Sequence, residues 1–213
     1  MDAVLAQIGE LGLAPVVAID DADDAPALGQ ALLAGGLPCA EITFRTAAAT
    51  DAIRLLTAEC PEMLVGAGTV LTVAQAETAV AAGARFIVTP GFDAAVVDWC
   101  LAQNVPVTPG VMTPTEINMA LNKGLTLLKF FPAEAAGGVK ALQAIGGPYR
   151  GVKFMPTGGI TAVNLPDYLR LPMVHACGGS WMVAPSLING GQFAQITRLT
   201  AEAVAIVRQI RSG

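Results

Sequence analysis

Lys129 stands inside Leu127-Leu128-Lys129-Phe130-Phe131, a run that otherwise reads as a strand buried on both faces. Burying an ammonium is costly, so such a lysine either pairs with a carboxylate or sheds its proton. In the second state it is a nucleophile towards carbonyls and forms a Schiff base; in the first it is one half of a structural ion pair. The residues leave both open. Glu41 has a comparable setting in Cys39-Ala40-Glu41-Ile42-Thr43-Phe44-Arg45. Two-residue alternation puts Cys39, Glu41 and Thr43 on one face of that strand, and Ala40, Ile42 and Phe44 on the other. The apolar face suits a covering layer of helices, so Glu41 is expected to point inward. A carboxylate there either moves protons for the carbon chemistry that a Schiff base enables or merely neutralises Lys129. Arg45, just beyond, either forks around a substrate carboxylate or is solvated where a loop opens.

Two Gly-Gly segments, Pro156-Thr157-Gly158-Gly159-Ile160 and Cys177-Gly178-Gly179-Ser180-Trp181, are expected to be the turns that follow the last two strands. Backbone amides in such turns, helped by a helix N-terminus, make a cradle for phosphate. The alternative is that glycine only permits a tight turn. Gly66-Ala67-Gly68-Thr69 and Thr89-Pro90-Gly91 are expected to line the same mouth, or to be simple turn chemistry.

The elements that must carry these residues are short apolar runs alternating with longer amphipathic segments. Strands are expected to begin near Pro15, Cys39, Met63, Phe86, Val105, Thr126, Val152 and Met173. Most are apolar on both faces, as parallel strands covered by helices should be. Thr72-Val73-Ala74-Gln75 and Thr113-Pro114-Thr115-Glu116 have capping-box spacing, and Gly83 and Gly124 stand where left-handed C-caps need glycine. Val97, Cys100 and Leu101, like Ile117, Ala120 and Leu121, follow the spacing of a helix with one buried face. Ile196 to Ile210 reads as a covering helix. Eight strands and eight helices, after an N-terminal helix, point to a single (β/α)8 barrel over residues 1–213, with an open doubly wound sheet as the other candidate. In a barrel, chemistry belongs where strands end and βα loops begin, which singles out the polar residues just named.

The 213 residues carry 12 basic and 17 acidic side chains, a net charge of −5, without any run of Lys or Arg. A nucleic-acid partner is therefore not expected. Although 54% of the chain is hydrophobic, no window of eighteen residues is continuously apolar, so neither is a membrane span. The acidic N-terminus has no basic region before an apolar core and does not resemble a secretory signal. Cys39, Cys60, Cys100 and Cys177 form no CxxC pair, and with one histidine, His175, a zinc site of the Cys/His kind is not expected. The thiols read as buried and reduced, His175 as a satisfied packing residue, and the cytoplasm as the address.

Six ordered motifs resemble the 2-keto-3-deoxy-6-phosphogluconate aldolases of the Entner–Doudoroff pathway. They are Glu41-Ile42-Thr43-Phe44-Arg45-Thr46, Gly66-Ala67-Gly68-Thr69-Val70, Val88-Thr89-Pro90-Gly91, Lys129-Phe130-Phe131-Pro132-Ala133-Glu134, Pro156-Thr157-Gly158-Gly159-Ile160 and Gly178-Gly179-Ser180-Trp181, which together span nearly the whole chain. The resemblance implies a metal-independent enzyme without a cofactor that also cleaves 4-hydroxy-2-oxoglutarate. It implies Lys129 as the Schiff-base lysine and Glu41 as the acid/base. It places Arg45, Thr69, Pro90 and Phe131 at the pyruvate end, and Thr157, Gly158, Gly159, Gly178, Gly179 and Ser180 at the phosphate end of a keto-acid phosphate. It further implies a homotrimer of (β/α)8 barrels. The related phosphogalactonate aldolases share the lysine and glutamate but tend to carry an arginine after the first strand, where this chain has Ala18-Ile19-Asp20-Asp21. Two other functions compete: an isomerase or epimerase of phosphosugars with Glu41 as base, and a non-catalytic barrel that binds phosphate ligands.

Overall fold

The computed structural model of the protein describes residues 3–211. Helix α1 (Ala3–Leu11) precedes strand β1 (Leu13–Val17), and strands and helices then alternate: α2 (Ala25–Ala34), β2 (Cys39–Thr43), α3 (Ala49–Glu59), β3 (Leu64–Gly68), α4 (Val73–Ala81), β4 (Ile87–Val88) and α5 (Ala94–Ala102). The second half runs through β5 (Val107–Thr108), β6 (Gly110–Val111), α6 (Pro114–Asn122), β7 (Leu127–Phe130), α7 (Gly138–Gly146), β8 (Lys153–Pro156), α8 (Leu165–Leu169), β9 (Cys177–Gly179), α9 (Pro185–Asn189) and α10 (Phe193–Arg211).

The strands pair in parallel as a six-stranded sheet, β5-β4-β3-β2-β1-β9, and a three-stranded one, β6-β7-β8. The expected ring of eight strands is thus not one continuous ladder, and the reason is local. Pro109 interrupts the fifth strand and has no N–H to donate. The piece before it pairs with β4, and the piece after it pairs with β7. On the other side, isolated parallel bridges, Thr157↔Gly178 and Phe154↔Val174, link the β8 and β9 segments. The last strand also starts later than expected. Of the residues from Met173, where the last strand is expected to begin, only Val174 makes a bridge before β9, and Gly178 and Gly179 lie in β9 itself instead of a turn after it.

Side-chain alternation sorts the strands into two apolar layers. Ala40, Ile42, Val65, Ala67, Leu128, Phe130 and Phe154 pack under the helices, whereas Cys39, Leu64, Phe86, Val88 and Met155 form a smaller inner cluster with Val4 and Ile8 of α1. Helix α1 therefore covers one end of the interior. His175 serves this packing: its Nε2 lies 2.7 Å from the Leu5 carbonyl, and its ring sits where a Cβ on Gly9 would fall.

The helix ends follow their local chemistry. Thr113 and Glu116 form the full capping box of α6, while Gln75 of α4 bonds the Leu71 amide and leaves Thr72 to cap alone. Gly83 and Gly124 take φ of +110° and +78°, which glycine adopts without strain. Helix α10 buries Ile196, Thr200, Ala203 and Val207 against the body of the protein. Leu101 departs from expectation: it is 40% exposed and lines a surface groove with Leu5, Pro106 and Leu125. Among the described residues, no helix is long and apolar enough to cross a membrane.

Candidate active site

Strands β2 and β7 are not neighbours in either sheet, yet Lys129 Nζ and Glu41 Oε1 lie 3.5 Å apart. The contact therefore crosses the interior that the curled strands enclose. Lys129 is 2% exposed and Glu41 wholly buried, and among the described residues neither carboxylate oxygen of Glu41 has a hydrogen-bond partner. An ion pair kept for stability gains most when its remaining lone pairs are satisfied, because burial costs each charge several kcal/mol. Here those lone pairs have no protein partner among the described residues. Glycine makes room for the side chain: a Cβ on Gly68 would lie 2.1 Å from Glu41 Oε1. Below the carboxylate, Cys39 has its thiol pushed up to about 12, chiefly by burial and then by the Glu41 charge.

Phe131 joins this pair to a cleft. Its ring centroid is 5.0 Å from Lys129 Nζ, and its edge lies 3.2 Å from where a Gly158 Cβ would stand. The cleft, about 180 Å³, is lined by Phe131 together with Arg45, Thr157, Gly158, Gly159, Gly178, Gly179 and Ser180. Arg45 makes none of the ion pairs found among the described residues, so a cation faces the cleft uncommitted. Gly158 and Gly159 adopt φ of +98° and +83°, a left-handed course that only glycine takes readily. The carbonyls of Thr157 and Gly158 accept from the amides of Ala133 and Glu134, at 2.8 and 3.0 Å, and neither donor residue lines the cleft. Among the described residues, the amides of Gly159 and Ile160 donate to no protein acceptor, whereas the Thr157↔Gly178 bridge turns the Gly158 amide towards Gly178. Such a run of uncommitted N–H groups is a concavity for an anion. Gly178 is glycine because a Cβ there would fall 2.3 Å from Thr157 Oγ1, so its role in β9 is close approach, not turning. Ser180 is exposed, and its hydroxyl caps no helix.

Thr69 and Pro90 do not line the cleft. Thr69 directly follows Gly68 and holds φ +55°, an outlier for a β-branched residue and a form of strain that concentrates at functional sites. The Pro90 carbonyl packs on Gly110, which lies in register with Lys129. The other three lysines are placed elsewhere. Lys123 pairs with Asp98 at 2.7 Å, Lys153 donates to the Pro172 carbonyl, and Lys140 is exposed on α7. Val16, Ala18, Ile160 and Pro185 also line the cleft and were not anticipated. Searching strand ends for polar residues passes over apolar walls, although Ala18 follows β1 directly and position alone marks it.

Comparison with known proteins bears on this geometry. A protein-family model described as "Aldolase: KDPG and KHG aldolase" matches residues 4–199, where KDPG stands for 2-keto-3-deoxy-6-phosphogluconate and KHG for 4-hydroxy-2-oxoglutarate. The chain is 49% identical to the 2-dehydro-3-deoxy-phosphogluconate aldolase of Treponema pallidum, over 91% of this chain and 92% of that one. It is 44% identical to the KHG/KDPG aldolase of Escherichia coli, over 89% of each. Among solved structures it is similar to the KDPG aldolase of Legionella pneumophila, with pyruvate captured as a covalent carbinolamine intermediate. That likeness has a TM-score of 0.89 and 41% identity over 94% of this chain and 96% of that one.

Proposed function

The chain belongs to the KDPG and KHG aldolase family, and we propose that it is a Schiff-base aldolase cleaving 2-keto-3-deoxy-6-phosphogluconate to pyruvate and glyceraldehyde 3-phosphate, and 4-hydroxy-2-oxoglutarate to pyruvate and glyoxylate. The observation that carries the reading is the buried Lys129–Glu41 pair, joined through Phe131 to a cleft with an uncommitted arginine and uncommitted amides. Lys129 adds to the substrate ketone to give a carbinolamine, and loss of water gives the Schiff base. Removal of the proton from the C4 hydroxyl then breaks the C3–C4 bond, with the electron pair drawn towards the iminium. Protonation at C3 and hydrolysis release pyruvate. Each step moves a proton within reach of Lys129, and Glu41, 3.5 Å away with open lone pairs, is assigned that transfer.

Arg45, Thr69, Pro90 and Phe131 are assigned the pyruvate end. Thr157, Gly158, Gly159, Gly178, Gly179 and Ser180 are assigned the phosphate. The bridges between β8 and β9, and the chain running through Pro109 from β5 to β6, support closure of the strands into a (β/α)8 barrel. The family resemblance supports a homotrimer working in the cytoplasm, and light scattering tests the trimer.

Borohydride reduction in the presence of pyruvate tests the central assignment. One covalent group is expected, mapped by peptide mass to Lys129, and none on Lys123, Lys140 or Lys153. An adduct elsewhere, or no adduct, removes the aldolase reading in favour of an isomerase or a binding barrel.

A further inference from the structure

We propose that Asn164, which lies outside the cleft, is a positioning residue that aims the phosphate-end amides; the inference rests on the function proposed above. Asn164 stands just before α8. Its Nδ2 donates to the Gly159 carbonyl at 3.0 Å, and its Oδ1 accepts from the Thr161 amide at 2.7 Å. One side chain thus grips the backbone on both sides of Ile160. Within a trans peptide the C=O and N–H point in opposite directions. Holding the Gly159 carbonyl on the outer side therefore turns the Ile160 N–H towards the cleft, which Ile160 lines.

The two preceding peptides are held in the same sense by backbone donors, Ala133 N to Thr157 O and Glu134 N to Gly158 O. Three successive carbonyls are thus taken from outside, and only the third clamp is a side chain. The peptide it controls follows Gly159, whose freedom at φ +83° gives the backbone little resistance to rotation once the clamp is gone. The neighbouring Glu134, whose own side chain covers Gly159 and accepts from the buried Tyr168 hydroxyl, fixes the second clamp but cannot replace the third.

The test is Asn164→Ala, assayed on both substrates and for binding of glyceraldehyde 3-phosphate by calorimetry. A misdirected donor to a charged oxygen is expected to raise KM for the phosphorylated substrate, and Kd for glyceraldehyde 3-phosphate, by about tenfold. The kcat for 4-hydroxy-2-oxoglutarate, which has no phosphate, should stay within about twofold, a split that a merely structural role would not produce. If the alanine variant melts too low to assay, Asn164→Ser, which keeps a neutral oxygen in the turn, carries the same expectation. Unchanged Kd for glyceraldehyde 3-phosphate, or equal losses on both substrates, overturns the proposal. Trapping of pyruvate on wild-type Lys129 is scored separately, so failure of the aldolase reading is told apart from failure of this one.

Discussion

Gly68→Ala asks whether Glu41 works by where it is held. The backbone at Gly68 is outside the left-handed region, so alanine is conformationally permitted and the change acts through its methyl group alone. That carbon would stand 2.1 Å from Glu41 Oε1 and 2.7 Å from its Cδ, so the oxygen must retreat by about 0.9 Å to reach even the 3.0 Å limit of real contacts. Misplacing a reacting group by about 1 Å costs on the order of 10²-fold in rate. Forcing a methyl group into a filled interior also costs about 1–3 kcal/mol of stability. The two effects are separated by Gly66→Ala on the same strand, whose Cβ would meet the Phe86 ring at 2.2 Å and no charged group. Both variants should melt lower by similar amounts. Pyruvate release, followed through lactate dehydrogenase and NADH loss at a temperature where both are folded, should fall about 10²-fold only in Gly68→Ala. Near-normal kcat in Gly68→Ala, or equal losses in the two variants, would refute a role that depends on the position of Glu41.

Glu41→Gln keeps the size of the side chain but cannot shuttle a proton, so kcat should fall by about 10²–10⁴-fold while pyruvate trapping on Lys129 survives better; a near-normal kcat would leave Glu41 only a counter-ion. Ser180→Ala should cost about 1.5–3 kcal/mol in kcat/KM for the phosphorylated substrate and almost nothing for 4-hydroxy-2-oxoglutarate, and equal losses would misplace the phosphate. Burial pushes the Cys39 and Cys100 thiols up to about 12 and 11 and raises that of Cys177 as well. Thiolate at pH 8 is then about one part in 10³ or less for Cys39 and Cys100, so the native enzyme should leave all three unlabelled by a disulfide reagent until guanidinium exposes them. Rapid labelling of Cys39 in the folded protein would contradict its place beneath Glu41.

Much of the site was legible in the sequence because its signals are local. An ammonium in an apolar strand is anomalous whatever surrounds it, and two-residue alternation alone turns Glu41 inward while Ala40 and Ile42 face the helices. The capping box of α6 and the glycines ending α4 and α6 are likewise settled within a few residues. Tertiary structure decided what depends on distant partners. Lys129 and Glu41 are 88 residues apart, and the curl of strands that are not sheet neighbours brings them to 3.5 Å. Pro109 stands just past the expected fifth strand, and only pairing on both sides makes it the break between two ladders. Gly178 looks like a turn glycine until Thr157 is seen to cross it, and Asn164 carries no signal at all until Gly159 is found within reach of its amide. Local patterns fix which way a side chain points; what it meets there is fixed by packing between elements far apart in the chain.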